Sequence, residues 1–158
     1  MNREIKFRAK SISNSEWVYG NYIHSKRFEG WSNEFRIHNA DTGLESDVKI
    51  NSVGQFSGLH DKNGKEIFEG DIVSWKETRF HTQKQIENNI PMPKIYKSIV
   101  YYEDGGFIVS SDQEKDTPLC CFFNDSIDNK FDYKAEVIGN IYENPELLDG
   151  LAVSWGFG

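Results

Sequence analysis

The chain has no glycine-rich phosphate loop, no closely spaced histidine pair, no C-x-x-C and no long apolar run. Each absence excludes something. No stretch approaches the ~18 apolar residues that cross a bilayer, so no membrane span is expected. The start, MNREIKFRAK, is charged and ends in no small-residue cleavage site, which predicts a cytosolic chain without a secretion signal. Only two cysteines are present, Cys120 and Cys121, and they are neighbours. Neighbours on a strand point to opposite faces, so both are expected to be reduced strand residues. No Lys, Arg or His flanks them to lower a thiol pKa. The four histidines, His24, His38, His60 and His81, form neither H-x-x-x-H nor H-E-x-x-H, and no metal site is expected. G-x-S-x-G, G-x-G-x-x-G and the Walker A pattern are all missing. That removes the nucleophile elbow and the phosphate cradle. Glu69 and Asp71 are two carboxylates at one turn, where acidic residues are ordinarily solvated. The reading is a protein that is not an enzyme, with no catalytic residue and no cofactor.

What is present is a β pattern. Ile5, Phe7 and Ala9 alternate with Lys6, Arg8 and Lys10, a strand with a basic outer face. Trp17 to Ile23 reads as its hairpin partner, with Gly20 marking a bulge or a close backbone approach. Short strands are predicted at Val48–Ile50, Gln55–Leu59, Glu66–Phe68, Asp71–Trp75, Ser98–Glu103, Phe107–Ser110, Leu119–Phe123 and Ala135–Tyr142. Asn63-Gly64 predicts a type I′ hairpin turn, and Asp104-Gly105-Gly106 a second hairpin. Asn144-Pro145 reads as the cap and first position of a helix of a turn or two. With no sustained helical period, the chain is all-β.

The block from Val53 to Trp75 (VGQFSGLHDKNGKEIFEGDIVSW), the start REIKFRA with Trp17 to Gly20, and EVIGNIYENPELL near the end together resemble the YopX-like proteins of phages and prophages. The resemblance spans residues 3 to 148. It implies a mainly β protein with an SH3-type small barrel in its C-terminal part, a phage or prophage origin, and residence in a bacterial cytoplasm. It implies no activity and no site residues. The combined expectation is an N-terminal β subdomain over 1–60, an SH3-like barrel over 61–148 with a long loop at 78–93, and a tail at 149–158.

Two surfaces are candidates for binding. Aromatics make up 14% of the chain. Trp17, Tyr19, Trp31 and Phe35, with Arg27 and Arg36, offer a stacking platform or an apolar groove, or else they fill a small core. Residues 76–97 hold five cations, Lys76, Arg79, Lys84, Lys94 and Lys97, against two Glu. The net charge of −7 disfavours nucleic acid as the partner of that loop. The favoured reading is an accessory factor that binds a host or phage protein, its acidity engaging a basic surface. The alternative is a trap for a small nucleotide signal, with Trp17, Trp31 or Phe35 stacking and Arg27 or Arg36 meeting phosphate. Apolar residues on both faces of Ile99–Tyr102 and Leu119–Phe123 also give a motive for self-association into a homo-oligomer.

Overall fold

A computed structural model of the chain describes residues 4–25, 34–76, 95–110, 116–122 and 135–149. Their order is β1 (Phe7–Lys10), β2 (Trp17–Ser25), β3 (Glu34–His38), β4 (Glu45–Asp47), a 3₁₀ turn (Ile50–Ser52), β5 (Gly54–His60), β6 (Glu66–Phe68), β7 (Asp71–Lys76), β8 (Ile95–Glu103), β9 (Gly106–Ser110), β10 (Asp116–Pro118), a 3₁₀ turn (Leu119–Phe122), β11 (Glu136–Asn140) and a last 3₁₀ turn (Pro145–Leu148). Two antiparallel sheets result, ordered β4-β3-β2-β1-β5-β6 and β10-β9-β8-β7-β11. The chain divides into two compact units, Met1–Gly58 and Leu59–Gly158.

In the first unit the alternation of β1 sets the pattern. Ala9 is fully buried and Phe7 packs beside it against Ile37 and Val48, with Val18, Tyr22, Phe35 and Val53 around them. The opposite face carries Lys6, Arg8 and Lys10, because side chains of a strand alternate. Gly20 is where β2 meets the end of β3. A Cβ there would lie 2.1 Å from the His38 carbonyl oxygen, and its φ is +152°. The close approach expected from the sequence is therefore real, and only glycine permits it. A single bridge, Ser11 to Val48, brings the chain after β4 back to the end of β1. Ser52 secures the corner by accepting the Lys10 N–H at 2.8 Å and donating to the Lys49 carbonyl at 2.7 Å.

The second unit is built on β7. Val73 and Trp75 face Tyr96, Val100, Val109, Leu119, Ala135, Val137 and Ile67 in one core. Trp75 and Tyr96 are cross-strand neighbours and stack at 5.8 Å, 15° between planes. Ile72 and Ile99 pair on the other face of the same strands and are also buried. The single chain covers them, so these two residues supply no motive for a second copy.

Several expectations are corrected. The strand expected at Val48–Ile50 is not formed: β4 ends at Asp47, Val48 makes only the bridge to Ser11, and Ile50 opens a 3₁₀ turn. The SH3-like barrel is not formed: among the described residues both sheets stay open. Its edge strands β10 and β11 lie at opposite ends of the five-stranded sheet, and β6 joins the other sheet. Closure needs a matched tilt and register shear among all strands, which strand count does not encode. The Asn63-Gly64 turn is not type I′, because Gly64 has a positive φ and Asn63 does not. The Gly64 N–H reaches the Asp61 carbonyl at 3.0 Å and the Asp61 N–H reaches the Lys65 carbonyl at 2.7 Å, a type I turn closed by a glycine bulge. The type I′ geometry occurs instead at Asp104 (φ 50°) and Gly105 (φ 81°), joining Glu103 to Gly106. Leu119–Phe122 is a 3₁₀ turn, not a strand. The short turn at Pro145–Leu148 has Asn144 as its cap and Pro145 at its start, as expected, but Asn144 makes no side-chain cap bond; its Oδ1 accepts the Asn140 N–H at 3.3 Å.

Candidate binding face

The outward face of β1 and β2 brings Trp17 and Tyr19, two of the rings that the sequence singled out, together with the basic residues of β1. Lys10 lies opposite Trp17 and Arg8 opposite Tyr19 in the ladder, so all four project to one side, away from the Ala9 core. The Arg8 guanidinium sits over the Trp17 ring at 4.6 Å and the Lys10 ammonium over the same ring at 4.8 Å. Lys6 lies 5.8 Å from the Tyr19 ring. Three cations and two rings thus interleave. Each such contact contributes about 0.5–2 kcal/mol, more where water is excluded. Arg8 is only 5% exposed, which places its contact at the stronger end. Tyr19 is 39% exposed.

Period-two alternation separates the other candidates. Phe35 lies on the core side, in an aromatic row with Tyr22 at 6.4 Å and His24 at 4.8 Å; Phe7 extends the row against Tyr22 at 5.7 Å. Burial in that row pushes the Tyr22 hydroxyl pKa up. Arg36 faces the other way, paired with Asp47 and Ile23 across the sheet, and its guanidinium binds Glu45 at 2.5 Å. Consecutive residues of one strand cannot line one platform. Arg27 and Trp31 lie outside the described residues. Of the basic stretch, the backbone of Lys76 ends β7 and half-buried Lys97 sits on β8, opposite Ser74. Arg79, Lys84 and Lys94 lie outside the described residues, as does the rest of the loop 78–93.

The remaining titratable candidates have structural partners. Asp71 is 1% exposed and accepts the Phe68 N–H at 2.8 Å, pinning the turn at Gly70 (φ 81°). Glu69 stands beside it in that turn, half-buried, and a left-handed residue between the two breaks the strand geometry that would align them. His24 stacks on Phe35, His38 Nδ1 is 3.8 Å from Glu45, His60 is exposed, and His81 lies outside the described residues. Among the described residues no group of three or more His, Cys, Asp or Glu is placed to hold a metal ion. A cleft of about 520 Å³ opens between the Ser11–Ser13 turn and β3–β4, lined by Glu34, Phe35, Glu45, Asp47 and Val48.

Sequence reading passed over Asp61 as an ordinary turn residue. It is 6% exposed. Its Oδ1 accepts the Asn63 and Lys65 N–H groups at 2.7 and 2.9 Å, and its Oδ2 the Val137 N–H at 3.1 Å. Burial works to raise its pKa, but these three N–H donors and the Lys65 charge outweigh it and hold the carboxyl below its usual value. An Asp two residues before Asn-Gly was the available signal.

The YopX family model matches residues 6–149. The chain belongs to the YopX protein family. This YopX protein is also similar to a solved structure, the crystal structure of protein EF1440 from Enterococcus faecalis, at 24% identity, with a TM-score of 0.46, over 93% of this chain and 99% of that one. No curated protein matches it. Two of the segments that carried the resemblance hold turn-forming residues. Asp61, Asp71 and Gly70 fall in the central one. Gly139 and Asn140 fall in the last, where a Cβ on Gly139 would lie 2.6 Å from Asn144 Oδ1. Asn140 Oδ1 accepts the Tyr142 and Glu143 N–H groups, each at 3.0 Å. No described helix is long and apolar enough to cross a membrane.

Proposed function

We propose that this phage-associated chain acts by binding rather than by turnover, and that the outward face of β1 and β2 docks an acidic surface of a host or phage protein. The Arg8–Trp17–Lys10 stack carries the reading. In a chain of net charge −7, it concentrates positive charge on a rigid strand pair and holds it against an aromatic ring. Half-buried Lys6 and Lys10 beside exposed Tyr19 suit a protein hot spot, with buried Arg8 packed on the Trp17 ring behind them. This reverses the expected complementarity: the organised face is basic, so the partner is acidic. The nucleotide reading finds less support, since Phe35 is packed in the core row and the Trp17 ring already carries two cations.

The test is recovery of the tagged chain from the bacterial cytoplasm in which it is expressed, alongside K6E/K10E and Y19A variants. One acidic protein in fixed ratio is expected with the wild type. It should be lost from both variants, and the complex should weaken as salt rises. A stoichiometric small molecule or nucleic acid in place of protein, or retention of the protein by K6E/K10E, would overturn the reading.

A further inference from the structure

Cys120 and Cys121 were expected to point to opposite faces of a strand. They sit instead in the 3₁₀ turn Leu119–Phe122. There, successive side chains are separated by about a third of a turn, so both thiols leave one short turn instead of opposite faces of a strand. Both cysteines are exposed and neither is in a disulfide. Their neighbour Leu119 is 1% exposed and belongs to the core of the second unit, so the turn is anchored at its first residue while the two sulfurs face outward.

We propose that Cys120 and Cys121 form a vicinal dithiol site for a thiophilic trivalent centre that has two exchangeable positions, such as a monosubstituted arsenical. Soft sulfur ligands select soft centres, and two exposed, free thiols on successive residues of one turn can supply both ligands of a chelate. A disulfide fits less well. It would draw the sulfurs to about 2.05 Å within an eight-membered ring and force the peptide between them out of the turn. Chelation needs no oxidant. With the hydrated probe, PhAs(OH)₂ + 2 RSH gives PhAs(SR)₂ + 2 H₂O. Two As–O bonds break, two As–S bonds form, each thiol proton leaves in water, and arsenic stays trivalent.

The same surroundings separate this site from a nucleophilic cysteine. Partial burial first, then the charge and the hydrogen bond of Cys120, push the Cys121 thiol pKa up. Little thiolate is present at neutral pH, and simple alkylation is slow.

The test is intact mass spectrometry of the native, reduced full chain with one equivalent of phenylarsine oxide. The expected result is a single phenylarsenic group with loss of two thiol hydrogens. It should survive excess glutathione, be removed by ethanedithiol, and be lost in both C120S and C121S. Circular dichroism of the two variants verifies that they fold. No adduct on the native chain, with uptake only in urea, would overturn the proposal. So would an adduct on either single-cysteine variant that resists glutathione as well as the wild type does.

Discussion

The Asp61 carboxylate accepts the backbone N–H of Val137, 76 residues further along the chain, at 3.1 Å. One side chain therefore shapes its own turn and fastens that turn to β11. The exposed ion pair of Lys62 with Glu136 and the Asn63–Glu136 contact lie beside it. Removing the carboxylate in D61A leaves three N–H groups without their acceptor. We expect a loss of about 2–4 kcal/mol, read as a lower urea midpoint, with D61N keeping part of the stability.

Acid should act through the same group. Asp61 and Glu136 both have folded pKa values below their ordinary ones. A depressed carboxyl contributes its full stability above its unfolded value, about 3.9 for Asp, and loses it as pH falls through the folded value. The urea midpoint of the wild type should hold from neutrality to about pH 5 and fall below about pH 4. In D61N the fall should be shallower. Equal slopes in the two proteins would count against Asp61 as the responsive group.

The two glycine turns give opposite sensitivities. Asp104 occupies a left-handed conformation and Asn63 does not. D104V should therefore cost about 1–2 kcal/mol, whereas N63V should lose only its exposed contact with Glu136 and cost clearly less. Equal costs in denaturant titration would contradict the turn assignment.

Gly20 is the tightest position of the first unit. G20A places a methyl group inside the His38 carbonyl and cannot relax by moving a side chain. A loss of about 3 kcal/mol or more is expected. It should appear in hydrogen exchange first at the Tyr22–Ile37 pairing.

Much of the fold was legible because it is local. β1, β2 and β5 to β9 fall where alternation and turn residues place them, since a strand's inward face and a glycine turn are written in adjacent residues. Partner choice was not legible. Whether β6 joins β5 or a barrel depends on contacts across the chain, and neither Glu66 nor Phe68 signals it. β10 was hidden in a polar segment, because an edge strand needs only one apolar side and Asp116–Pro118 has almost none. The binding face was half legible. Parity alone places Trp17 and Tyr19 together and forbids Phe35 and Arg36 from sharing a face, but the cations over Trp17 come from β1, and only the register reveals them.

Among the described residues, three of the four sheet edges, β4, β6 and β10, are strands of three residues, and each carries an acidic residue, with a proline besides in β10. The fourth, β11, is interrupted by a bulge between Val137 and Gly139. Such edges offer a poor template for another strand. Among the described strands, a partner that binds by extending a sheet would meet only short or interrupted edges.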